Sequence, residues 1–86
     1  MIENKNLTIN ETFNLAIKNH QENKTDIAQE LYNQVLKVDP NHLGALNNLG
    51  AIFKSSSEYQ KAKSSYEKAI ELNPNHADTN YNLGVI

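Results

Sequence analysis

Residues 43–76, from Leu43 to His76, read LGALNNLGAIFKSSSEYQKAKSSYEKAIELNPNH, and residues 9–42, from Ile9 to His42, read INETFNLAIKNHQENKTDIAQELYNQVLKVDPNH. Laid over each other without a gap, the two 34-residue stretches share Asn14/Asn48, Leu15/Leu49, Ala28/Ala62, Tyr32/Tyr66 and the closing triplet Pro40-Asn41-His42/Pro74-Asn75-His76. Other pairs are conservative, among them Val35/Ala69, Leu36/Ile70 and Val38/Leu72. A third copy begins at Ala77, with Asn48-Leu49-Gly50 returning as Asn82-Leu83-Gly84 and Ile52 as Ile86. A fixed period of this length marks a repeat architecture, in which one unit is too small to bury its apolar face alone and stacks on its neighbours.

Inside each unit the apolar spacing is helical. Leu46, Leu49, Gly50 and Phe53 fall at i, i+3, i+4 and i+7, one face of an α-helix. The polar run Ser55-Ser56-Ser57 breaks it, and Tyr59, Ala62, Tyr66, Ala69, Ile70 and Leu72 mark a second amphipathic helix closed by Asn73-Pro74. The first copy predicts a helix over Ile9–Gln21, a turn at Glu22-Asn23-Lys24 and a helix over Asp26–Val38. Thr8 followed three residues later by Glu11 is a capping box. Asn41 and Asn75 are expected to cap the next helices, while Pro40 and Pro74 stop the previous ones. No segment alternates with period two, so the expected class is all-α.

The spacing of Leu49-Gly50, Phe53, Ala62, Tyr66, Ala69 and Pro74 resembles the tetratricopeptide-repeat (TPR) signature W-x2-L-G-x2-Y…A-x3-F…P, with Leu46 in the tryptophan slot. The resemblance covers residues 9–86. It implies antiparallel helix pairs stacked into a right-handed superhelix of five helices. The units are an extension over residues 1–8, repeats over 9–42 and 43–76, and the first helix of an incomplete repeat over 77–86. The first copy departs from the pattern with Thr12, Ala16 and Asn19 in the tryptophan, glycine and aromatic slots, and a more loosely packed first helix is expected there. Ser57 stands where the family usually has a turn glycine.

In the family, the first helix of each pair lines the concave face. The positions that look away from the core are Asn10, Phe13, Asn14, Ile17 and Gln21, then Gly44, Asn47, Asn48, Ala51 and Ser55, then Asp78, Tyr81, Asn82 and Val85. Asn14, Asn48 and Asn82 are repeat-equivalent and are expected to form a ladder along the groove. With helices about 8–10 Å apart and an extended peptide rising about 3.3 Å per residue, each rung meets about every third peptide residue. An amide offers donor and acceptor to a peptide bond whatever its side chain. Three such bonds at about 0.5–1.5 kcal/mol each give only millimolar-class affinity, so Phe13, Ile17, Tyr81 and Val85 would have to add apolar pockets. The ladder resembles that of O-linked N-acetylglucosamine transferase-type TPR domains, where it holds a polypeptide. Two other readings stand beside it: the asparagines brace neighbouring helices, and Phe13 and Tyr81 pack against their own repeats. The carboxylate clamp of chaperone-binding TPR domains is not matched, because Phe13, Ile17, Asn48, Asp78 and Asn82 fit only one of its five positions.

Composition narrows the partners. Eight lysines and no arginine stand against ten carboxylates, a net charge of -2. No guanidinium fork is available to grip phosphate or guanine, and no attractive field points at nucleic acid or an anionic membrane. Neither partner is expected. Apolar runs are far short of the roughly 20 residues of a membrane span, and Met1–Asn6 lacks the apolar core of a secretory signal. A cytoplasmic location is expected, although a cysteine-free chain is equally legible as an exported domain. His42 and His76 are one repeat apart and cannot share a zinc ion, whose ligands lie within about 2.1 Å. No serine has histidine and acid partners, and no glycine loop cradles phosphate. No metal, no cofactor and no enzyme activity are expected.

The chain stops mid-pattern at Leu83-Gly84-Val85-Ile86. Either it is the N-terminal part of a larger protein, or another copy completes the half-repeat, and self-association through this end is expected. The favoured function is a protein-interaction module binding an extended peptide; the alternative is a structural or oligomerisation module with no peptide ligand.

Overall fold

The computed structural model describes residues 7–75. Four helices form among them: α1 (Ile9–Gln21), α2 (Thr25–Val38), α3 (Leu43–Ser55) and α4 (Tyr59–Leu72). The helix expected over 77–86, and with it the fifth element, lies outside the described residues. α1 packs on α2 and α3 on α4. The chain divides into two compact units, Met1–Pro40 and Asn41–Ile86, each built on one of these hairpins.

The start of α1 follows from its capping box. Glu11 N–H donates to Thr8 Oγ1 at 3.1 Å, and Thr8 N–H donates to the Glu11 carboxylate at 2.9 Å. These bonds satisfy amides that helix geometry leaves without partners. Both hairpins then turn in the same way. Asn23 adopts φ 64° and Ser57 φ 62°. Asn23 N–H donates to His20 O at 3.1 Å and Lys24 N–H to Asn19 O at 2.8 Å; Ser57 N–H donates to Lys54 O at 3.1 Å and Glu58 N–H to Phe53 O at 2.8 Å. This pair of bonds across a left-handed residue is the Schellman motif, which uses up the last carbonyls of the helix. Ser57 therefore takes the backbone conformation for which glycine is the easiest residue.

α2 and α4 end for one reason. Asp39 (φ -130°, ψ 89°) and Asn73 (φ -146°, ψ 86°) precede prolines, and the proline ring pushes the residue before it out of the helical region. α3 restarts on a different residue from the one expected. Its N-cap is His42, whose Nδ1 accepts the Ala45 N–H at 3.1 Å; Asn41 is not the cap. With Leu43 as the first helical residue, a side chain at 42 sits one turn below the Ala45 amide, and Asn41 comes one position too early. The cap expected of Asn75 would start the helix expected over 77–86, which lies outside the described residues.

The first hairpin buries Thr12, Ala16, Ala28, Leu31, Tyr32 and Val35; the second buries Leu46, Leu49, Ile52, Ala62, Tyr66 and Ala69, among others. Each fully buried large side chain contributes about 1.5–3 kcal/mol. Small residues set how closely the helices approach. A Cβ added to Gly50 would lie 2.7 Å from Tyr66 Cδ1 and 2.8 Å from Cζ, so the tyrosine ring of α4 occupies the space a side chain on α3 would need. α1 buries only Thr12 and Ala16, whereas α3 buries Ala45, Leu46, Leu49, Gly50 and Ile52, and Thr12 is held to its own helix. The Thr12 hydroxyl donates to Thr8 O at 3.0 Å, and Asn19 Nδ2 donates to Leu15 O at 2.9 Å, each bonding the carbonyl four residues back on its own helix. Thr12 is consequently buried at 7% exposure. Tyr59 and Leu72, expected on the apolar face of α4, are 51% and 41% exposed because they stand at its two ends.

Candidate functional site

The hairpin geometry sorts the expected groove residues by helix. On α1, Phe13, Asn14 and Ile17 fall at i, i+1 and i+4, and on α3 Asn47, Asn48 and Ala51 do the same one repeat later. Within each unit the three share one helix face, since positions four apart lie nearly above one another. Asn14 is exposed, whereas Asn47, Asn48, Ala51, Phe13 and Ile17 are half-buried. Tyr81, Asn82 and Val85, the third set, lie outside the described residues, as does the C-terminal half-repeat on which self-association would depend.

The members of each set are not equally available. The Phe13 ring stands 5.9 Å from that of Tyr32 at a 56° tilt, so part of it is spent inside the first hairpin. Tyr32 in turn meets His20, with Nδ1 and the phenol oxygen 3.3 Å apart and the rings near perpendicular. Asn47 and Asn48 each take part in a further interaction within the protein. Asn14 is the residue of the ladder that is most open to solvent among those described.

Some contacts were not legible in advance. His42 is the α3 cap, whereas the preferred capping residues are Ser, Thr, Asp and Asn, so residue type carried no signal for it. Lys61 Nζ lies 5.7 Å above the Phe53 ring and 3.0 Å from the Glu58 carboxylate, tying the outer side of α4 to α3. Both charged groups are well exposed, so the pair adds little stability. A shallow depression runs along α2 past Asp26, Gln29, Glu30, Asn33 and Lys37. Its mixed charges on one helix describe a solvated face, not a ligand site.

Among the described residues no three histidine, aspartate or glutamate side chains gather as metal ligands, and no helix is long and apolar enough to cross a membrane. The helix–turn–helix unit of Asn41–Asn75, with Gly50 under Tyr66 and Pro74 at its end, has the features of one repeat family. Residues 44–76 match the family model described as Tetratricopeptide repeat. The match supports a place in the TPR family and runs over α3, the Schellman turn and α4. TPR units generally mediate protein–protein interaction, so a protein partner is the general expectation for this chain. No curated protein matches the sequence.

Proposed function

We propose that the TPR hairpins stack as a right-handed superhelix and take an extended peptide segment along their first helices. The observation that carries this reading is the recurrence of Phe13-Asn14-Ile17 on α1 as Asn47-Asn48-Ala51 on α3, an asparagine at the same place on two equivalent helix faces. Asparagine suits the task because its amide pairs with both halves of a peptide bond. Ile17 and the open part of Phe13 supply apolar surface on the first unit, and Ala51 leaves room for a ligand backbone to approach on the second.

A bracing role is the competing reading, and one observation favours it: Asn48 is half-buried and already engaged within the protein. The two part on paired measurements. Peptides selected from a random display library are titrated against the native chain and against Asn14→Ala and Asn48→Ala. If the amides hold ligand, each substitution weakens binding about twofold to tenfold and leaves the melting midpoint nearly unchanged. Loss of about 1 kcal/mol of stability on Asn48→Ala, with no selected peptide sensitive to either substitution, would establish bracing instead.

A further inference from the structure

The charges of this protein are unevenly placed. α2 and α4 carry Asp26, Glu30, Lys37, Lys61, Lys63, Glu67, Lys68 and Glu71, whereas α1 and α3 carry only Glu11, Lys18 and Lys54. None of those three falls on the face that bears the asparagines. Among the described residues, 10, 14, 17 and 21 of α1 and 44, 48, 51 and 55 of α3 are charge-free, as are 13 and 47; the third copy, outside them, has Asp78 at the position equivalent to 10 and 44. With 21% of the chain charged, ten positions drawn at random would hold about two charges, so the face is depleted. Amides replace them at Asn10, Asn14, Gln21, Asn47 and Asn48. At 100° per residue, Glu11 and Lys18 lie together about 80–100° round α1 from the centre of that face. They are of opposite sign, so they leave no net field across it.

We infer that the segment bound on this face is an uncharged stretch of polypeptide, held by hydrogen bonds and apolar contact without ion pairs. The inference rests on the peptide-binding reading above and deepens it. Covering a lysine or a carboxylate strips its water at a cost that only a matched counter-charge offsets, whereas a covered amide needs only a hydrogen-bond partner, which every peptide unit provides. A charged ligand side chain laid on the asparagine-bearing face of α1, or on that of α3, finds no counter-charge among these positions and loses its own hydration. Each face therefore discriminates against charge on the ligand, and its grip is indifferent to salt. Lys54, half-buried on the flank of α3, is the one cation near the face in the second unit, which makes an acidic ligand the alternative to test.

Three synthetic peptide pools of equal length decide it: one built from Ala, Ser, Thr, Val and Gln, one with Asp and Glu added, and one with Lys and Arg added. They are titrated against the whole chain by fluorescence anisotropy. The neutral pool is expected to bind at least about tenfold more tightly than either charged pool. Its affinity should change less than about twofold between about 50 and 500 mM salt, a range over which screening weakens exposed ion pairs severely. Asn14→Lys, at an exposed position, is expected to move the preference toward the acidic pool. Preference of the native chain for a charged pool, or a tenfold loss with salt, overturns the inference; if that binding is still weakened by Asn14→Ala and Asn48→Ala, the peptide-binding reading survives. Binding of no pool removes both.

Discussion

Ser57 holds φ 62° at the turn between α3 and α4, and Asn23 holds φ 64° at the same place one repeat earlier. Asparagine visits this region with little penalty, whereas a serine Cβ crowds the neighbouring carbonyl at a cost of about 1–2 kcal/mol. Ser57→Gly relieves that cost and pays back about 0.4–1 kcal/mol in unfolded-state entropy. A net gain of about 0.5–1 kcal/mol in urea unfolding is expected, with a smaller gain for Asn23→Gly; a Ser57→Gly variant no more stable than the native chain would contradict the argument. Tyr66 gives a second test at this scale. Burial raises its ionisation above the usual tyrosine value of 10.0, because the phenolate loses its hydration. The folded state thus keeps the proton that the unfolded chain releases, so this contribution is whole below pH 10.0 and is lost as pH rises above it. Tyr66→Phe has no proton to lose. Unfolding free energies measured on both sides of that pH should show the native chain falling relative to the variant on the alkaline side only.

At the scale of elements, the helices begin and end through local bonds that are mostly written in adjacent residues. His42 is the instructive case. Its Nδ1 does the work usually assigned to Ser, Thr, Asn or Asp, and Asn41, the better capping residue by type, is displaced by one position. His42→Ala is expected to cost about 0.5–2 kcal/mol and to fray the first turn of α3, while His42→Asp restores the cap; amide exchange at Leu46 and its neighbours reports the fraying. Packing between elements supplies the other test. Gly50→Ala drives a methyl into the buried Tyr66 ring. Over-packing of this kind costs about 1–3 kcal/mol, and the better helix propensity of alanine returns about 1. A net loss of up to about 2 kcal/mol in chemical denaturation is expected, and a gain would mean that α4 shifts freely. The first hairpin shows one way such a shift is accommodated, because Ala16 occupies the equivalent slot there and Tyr32 is still fully buried.

For the whole molecule, helix class, the 34-residue period and the positions of both turns were readable from spacing alone, because each depends on residues within one turn or one hairpin of each other. The bounds expected for α1 agree with those found, and α2 begins one residue earlier than expected, at Thr25. Thr12 shows where residue type stops: its polarity counts against burial only until its side chain bonds its own helix backbone, a local choice that residue type does not reveal. The candidate site was legible as a pattern and no further. Spacing put Asn14 and Asn48 at equivalent places on their helices, yet it could not show that Phe13 spends part of its ring on Tyr32, or that Asn48 is engaged while Asn14 is open. By itself the sequence determined which residues are helical, where the chain turns and which face of each helix is apolar, since these are settled by contacts between neighbours in the chain. Tertiary structure alone decided how Gly50 makes room for Tyr66 and how much of the Phe13 ring is taken up by Tyr32, since each depends on atoms brought together only when the helices fold onto one another.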